Sequence, residues 1–177
     1  PEEARLREEM CRLGARLDAR GLAQGPSGNL SARLSDGTLL VTPTGSRLRE
    51  TDPARLAHLD AQGRPLSGPP PTKKVALHAA FYATRRGAGA GAVVHLHARH
   101  SVALSLLPDT DPDCVLPPLT AYGAMQLGRV ALLPYFRPGD AARGGAVRAL
   151  GGRRAISTRA GSWISGAPPA SSGRGDA

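Results

Sequence analysis

The sequence predicts a single mixed α/β domain, on three observations. Leu6, Met10, Leu13 and Leu17 recur at spacings of four, three and four, the period of one helix face. Leu30, Ala32 and Leu34 alternate with Ser31, Arg33 and Ser35, reach Asp36-Gly37 and return through residues 38–41. That is a β-hairpin turning on a dipeptide suited to positive φ. Residues 92–97, Ala-Val-Val-His-Leu-His, form an apolar strand-like run behind a second helical pattern. A chain of 177 residues suits one domain with a real core. Aromatic residues make up only 3%, so Leu, Val and Ala must fill that core, while 22 Gly and 16 Pro imply many turns between short elements.

The remaining elements follow in order. The opening helix ends at Gly21. Residues 42–72 are turn-rich, with Pro43, Gly45, Pro53, Gly63, Pro65 and a Gly-Pro-Pro-Pro run ending at Pro71, and residues 56–59 read as a strand or a helical turn. A helix spans 74–86 with Leu77, His78, Phe81 and Tyr82 near one face, closed by Gly87 to Gly91. Another helix is expected around 101–107, a loop over 109–118, a short strand over 130–133, and a helix capped by Asp140 that stops at Gly151 and Gly152. A strand begins near Arg153 and does not continue. Residues 160–177 are mostly Ala, Gly, Ser and Pro, with too few large apolar groups to offset the entropy of ordering them. The expected organisation is therefore a domain over 1–156 and an unordered tail over 157–177.

The net charge of +9 attracts phosphates, whether on nucleic acid or on a small metabolite. The arginines are scattered, no run of five basic residues occurs, and few aromatics are available to stack bases, so nucleic acid is not expected as a partner. Cys11 and Cys114 lack a disulfide framework, which points to a reducing cytoplasm. No apolar stretch approaches a membrane span, and the acidic start does not read as a signal peptide.

His95 and His97 sit two apart on a strand, so both imidazoles project to one side. That is half of a metal site, since catalytic zinc usually takes three protein ligands and leaves one position open. Residues 25–29 (Gly-Pro-Ser-Gly-Asn) and 42–46 (Thr-Pro-Thr-Gly-Ser) flank the hairpin strands, and Thr72-Lys73 opens the helix that carries His78. Each can be an ordinary turn; together they are three anion-friendly elements near a metal-like pair. His58 reads as a surface residue, and His78 and His100 as packing or supporting groups.

Ser-Gly-Asn-Leu-Ser at 27–31, Thr-Pro-Thr-Gly-Ser at 42–46, Pro-Thr-Lys-Lys-Val-Ala-Leu-His at 71–78 and Ala-Val-Val-His-Leu-His at 92–97 resemble, in order and spacing, the class II aldolase/adducin family. The stretches 116–122 and 134–140 are most similar to its branch that decarboxylates 3-oxo-tetronate 4-phosphates, with the fuculose-phosphate aldolases sharing the frame. The resemblance implies a three-layer α/β/α fold around a central, mainly antiparallel sheet, and a homotetramer with active sites between subunits. It implies a lyase acting on a small phosphorylated sugar or sugar acid, by decarboxylation or by aldol cleavage giving dihydroxyacetone phosphate, through a metal-stabilised enediolate. By the same resemblance Gly28, Asn29, Thr44, Gly45, Thr72 and Lys73 hold the substrate phosphate, and His95 and His97 are two of three ligands to one Zn²⁺ per subunit. A catalytically inactive, adducin-like binding protein that keeps the phosphate cradle is the alternative.

Two departures stand out. The family has a glutamate acid/base four residues before the helix histidine, where this chain has Lys74. Three readings of Lys74 stay open: a damaged site, an ammonium standing in as electrophile, and a deprotonated amine forming a Schiff base. The family's third zinc histidine lies in an Asn-His-Gly element after a strand, whereas no histidine follows His100 here. A frame shift or truncation near residue 157 is the expectation drawn from that break, and reading the coding DNA in its other frames tests it.

Overall fold

A computed structural model describes residues 1–85, 90–117, 119–137, 140 and 142–150, together with the backbone of 155–158 and 162–167. The opening stripe becomes helix α1 (Glu2–Ala19), with Glu2 and Glu3 in the first turn, where the helix dipole favours acidic groups. Met10 and Gly14 are its buried residues; a Cβ on Gly14 would lie 2.7 Å from the Leu48 carbonyl oxygen, so only glycine permits that approach. The predicted hairpin is β1 (Asn29–Arg33) and β2 (Leu39–Val41), turning through Gly37 at φ 88°. Residues 57–59 settle as a strand, β3 (Ala57–Leu59), followed by β4 (Pro65–Ser67). Helix α2 (Val75–Thr84) leads to β5 (Ala92–Leu96) and α3 (Arg99–Ser105).

Beyond these lie α4 (Ala121–Leu127), β6 (Ala131–Leu133), α5 (Ala142–Ala149), β7 (Ala155–Thr158) and β8 (Ser162–Ala167). The eight strands form one sheet in the order β4-β3-β2-β1-β5-β8-β7-β6, antiparallel except for the β6–β7 pair. Both faces are covered. Leu39, Val41, Val93 and Leu133 pack against α2 and α5, while Leu30, Ala32, Leu40 and Leu96 pack on the other face against α1 and the Leu48–Leu56 segment. Alternate residues of one strand therefore enter different cores, as a three-layer α/β/α architecture requires.

Two elements differ from the sequence-based expectation. Patterned structure does not stop at 156: β7 runs to Thr158, and β8, within the segment expected to be unordered, lies between β5 and β7. Backbone N–H and C=O groups along the open edge of β5 require partners whatever side chains the partner strand carries, so the composition of 160–167 is a poor guide there. Helix α4, for which the sequence gives no core-facing stripe, begins at Thr120, whose hydroxyl accepts the Gly123 N–H at 3.0 Å. The helix stop at Gly151-Gly152, the residues 86–89 of the expected loop, and residues 168–177 lie outside the described residues.

Helix α1 is fastened to the chain beneath it by Arg7, which donates to the carbonyls of Pro53 (2.9 Å) and Leu56 (3.1 Å) while pairing with Glu3. Arg7→Ala is expected to cost about 2 kcal/mol, the scale of charge-assisted hydrogen bonds whose acceptors lose their donor. A shift in the urea midpoint measures it; an unchanged midpoint shows that the tie contributes nothing.

Candidate active site

The start of β1, the end of β2, the end of β5 and the start of α2 meet at one end of the sheet, because Asn29 pairs with His95 across β1–β5 and Ser31 with Val41 across β1–β2. Three loops gather there. The Thr42 N–H donates to Leu30 O (3.0 Å) and the Thr42 hydroxyl accepts from the Leu30 N–H (3.1 Å). The Thr44 N–H donates to Pro70 O, the Thr72 N–H to Thr42 O, and Pro43 bridges Pro71, so loops 42–46 and 70–74 are stitched to each other. Gly28 has φ 84°, and a Cβ on it would meet the His95 carbonyl at 3.2 Å, which brings the first loop against β5.

Thus the structure gathers Gly28, Asn29, Thr44, Gly45, Thr72 and Lys73 on connected loops at the sheet end that carries His95 and His97. Asn29 and Thr72 are buried and Lys73 is exposed. His95 is fully buried on β5; His97 lies one residue past the strand and is exposed, with the two ring centroids 5.0 Å apart. Lys74 occupies the N-cap of α2 without a side-chain cap bond. It shares a cleft of about 120 Å³ with Lys73, Asp140 and Arg143. The Arg143 guanidinium donates to Phe136 O at 2.9 Å, and its buried Nε has no partner among the described residues.

Burial lowers the Lys74 ammonium below its ordinary range, and the Arg143 charge lowers it further. The imidazole of His95 is held well below its usual value, first by burial, then by His78, His97, Lys74 and Arg143. His78 is drawn down to about 3 by burial alone. Both buried imidazoles are therefore neutral at pH 7, and a neutral imidazole is the form that ligates metals.

Of the other histidines, His58 is half-buried with Nε2 2.9 Å from the Thr38 hydroxyl, and His100 is exposed. His78 proves to be a supporting group: Nε2 lies 2.6 Å from Asn29 Oδ1, and Nδ1 lies 2.6 Å from the Ser31 hydroxyl. Sequence reasoning passed over Ser31, Tyr82 and Arg143. Only the placement of Tyr82 four residues after His78, on the same helix face, carried a signal for one of them.

The donor chemistry fits a divalent metal in part. His95 Nε2 is a buried nitrogen with no hydrogen-bond partner among the described residues, as a ligand atom awaiting its ion would be. Among the described residues no three His, Cys, Asp or Glu side chains converge, and His95 and His97 supply only two of the three protein ligands a catalytic zinc usually takes. No described helix is long and apolar enough to cross a membrane.

Comparison with known proteins agrees with this geometry. The model of the class II aldolase and adducin N-terminal domain matches residues 8–161. The 3-oxo-tetronate 4-phosphate decarboxylase of Cupriavidus necator is 50% identical over 140 residues, 79% of this chain and 63% of that protein. The enzyme of the same name from Escherichia coli K12 is 49% identical over 138 residues, 78% of this chain and 64% of that protein. The chain thus spans a little under two thirds of the length of these relatives. Among solved structures, YgbL from Klebsiella pneumoniae superposes with a TM-score of 0.90 at 39% identity, covering 94% of this chain and 80% of that one. The L-fuculose-1-phosphate aldolase of Thermus thermophilus gives 0.74 at 28% identity, covering 92% and 79%. With the family model spanning most of its length and close superposition on a solved structure at 39% identity, this chain belongs to the class II aldolase and adducin N-terminal domain family.

Proposed function

We propose that this chain carries the site of a lyase acting on a small phosphorylated sugar acid, with decarboxylation of a 3-oxo-tetronate 4-phosphate favoured over aldol cleavage. The observation that carries this reading is the convergence of three loops, two of them stitched to each other, on the sheet end that holds His95 and His97, in a chain about half identical to decarboxylases of that name. In the reaction the C1–C2 bond breaks and carbon dioxide leaves. The electron pair passes toward the C3 carbonyl oxygen, and a proton returned to C2 gives dihydroxyacetone phosphate.

Gly28, Asn29, Thr44, Gly45, Thr72 and Lys73 bind the phosphate through backbone N–H groups, hydroxyls and one ammonium. His95 and His97 hold a divalent cation, zinc by the family resemblance, which when bound supplies Lewis acidity at the substrate oxygens. Arg143 adds positive charge where the carbonyl oxygen becomes negative, whereas Lys74, standing in place of the family carboxylate, sets a like charge beside the cation and weakens its binding. The site works in the cytoplasm, within a homotetramer by the same resemblance.

The test follows carbon dioxide and dihydroxyacetone phosphate released from 3-oxo-tetronate 4-phosphate by the zinc-supplemented protein. Thr72→Ala is expected to raise KM about tenfold with kcat little changed, since a bond to a charged phosphate is worth roughly 1.5–3 kcal/mol. If the unaltered protein binds zinc stoichiometrically yet neither binds nor turns over the substrate, the reading fails. One observation, the ammonium of Lys74 beside the half-site, favours the non-catalytic alternative; phosphate binding without metal at micromolar free zinc is its signature.

A further inference from the structure

Five side chains from β1, α2 and β5 form an unbroken buried row that the phosphate and metal roles do not use in full. The Tyr82 hydroxyl lies 2.8 Å from Ser31 Oγ, which lies 2.6 Å from His78 Nδ1. His78 Nε2 lies 2.6 Å from Asn29 Oδ1, and the same oxygen lies 3.2 Å from His95 Nδ1. All five residues are at most 7% exposed.

Counting hydrogens fixes the direction of the row. A neutral imidazole has one N–H, a hydroxyl one hydrogen, and a carboxamide oxygen two lone pairs. With Oδ1 facing both rings, His78 must donate from Nε2 and His95 from Nδ1, because a bare nitrogen there would oppose an acceptor. His78 Nδ1 is then an acceptor, so Ser31 donates to it and Tyr82 donates to Ser31. Every hydroxyl and ring hydrogen in the row is used, and the ring nitrogen left over is His95 Nε2, buried without a partner among the described residues. The opposite direction needs the Asn29 amide turned over and leaves His95 with a buried Nε2–H that has no acceptor among the described residues.

We propose that Tyr82, Ser31, His78 and Asn29 form one directional hydrogen-bond chain that locks His95 as its Nδ1–H tautomer and so presents Nε2 as the ligand atom. Tyr82, Ser31 and His78 are positioning residues, acting on the ligand through Asn29. Asn29 joins the two halves of the site, since its oxygen is committed to the imidazoles and its Nδ2 is left to donate to the phosphate. The inference rests on the reading of His95 as a ligand, but it concerns the metal-free protein and is tested there.

Long-range ¹⁵N–¹H spectra of the metal-free full chain distinguish a protonated from a bare imidazole nitrogen and need no variant. The expected result is His95 protonated at Nδ1 and His78 at Nε2; a His95 protonated at Nε2 overturns the proposal whether or not metal binds. A second arm titrates the metal-free protein with Zn²⁺ in the absence of substrate. Asn29→Ala is expected to weaken binding about 10–100-fold, the usual cost of losing a group that orients a ligand, while Asn29→Asp, which still accepts from both rings, retains the His95 tautomer. A fixed His95 tautomer in a protein that takes up no zinc supports the chain and defeats the metal reading, so the two failures remain distinguishable.

Discussion

Lys74→Glu is expected to tighten divalent-metal binding at the His95–His97 pair by about 100-fold and to raise turnover with it. Unit charges about 4 Å apart interact by roughly 4 kcal/mol at an effective dielectric near 20, and a metal carries two. Lys74 is only partly buried, so solvent screening reduces this to about 2–3 kcal/mol for the reversal of its charge. A second effect needs no metal. Lys74 stands at the N-terminus of α2, where the helix dipole disfavours a cation, and it lies close enough to Arg143 for that charge to act on it. Glutamate relieves both, so the metal-free variant should be more stable by about 0.5–1 kcal/mol. Zinc competition against a chelating dye and a thermal melt check the two parts. Unchanged zinc content and turnover would reject the view that Lys74 is what weakens this site.

What the sequence disclosed was local. The hairpin followed from alternation ending at Asp36-Gly37, and the loops at Gly28, Gly45 and Thr72 from their turn chemistry, because these signals are complete within a few residues. The alternation does not show which polar positions are buried: Ser31 is buried because helices cover both faces of the sheet. The hydrogen-bond chain was invisible for the same reason, since Ser31 meets His78 and Tyr82 across 47 and 51 residues only when α2 docks on β1. Strand β8 was missed because an open sheet edge, a non-local demand, orders it. Helix α4 was missed because Tyr122 and Met125 are exposed and mark no core face.

Acid should destabilise the protein, because His78 is buried as a neutral ring. Its folded pKa of about 3 lies far below the ordinary 6.5 that it regains on unfolding, so the unfolded state binds more protons between those values. The stabilisation is complete above pH 6.5 and is lost as the pH falls toward 3. One proton corresponds to about 1.4 kcal/mol per pH unit, so the expected loss between pH 6.5 and 4.5 is about 2–3 kcal/mol. His95, shifted in the same direction, adds to the slope. Hydrogen bonds hold Asp36 and Asp60 below the usual carboxylate value, away from this window. Urea unfolding across pH 4.5–7 measures the slope. In His78→Gln, which keeps an N–H for Asn29 and does not titrate, that slope should fall by about one proton; an equally steep slope in the variant would show that the acid sensitivity belongs to another group.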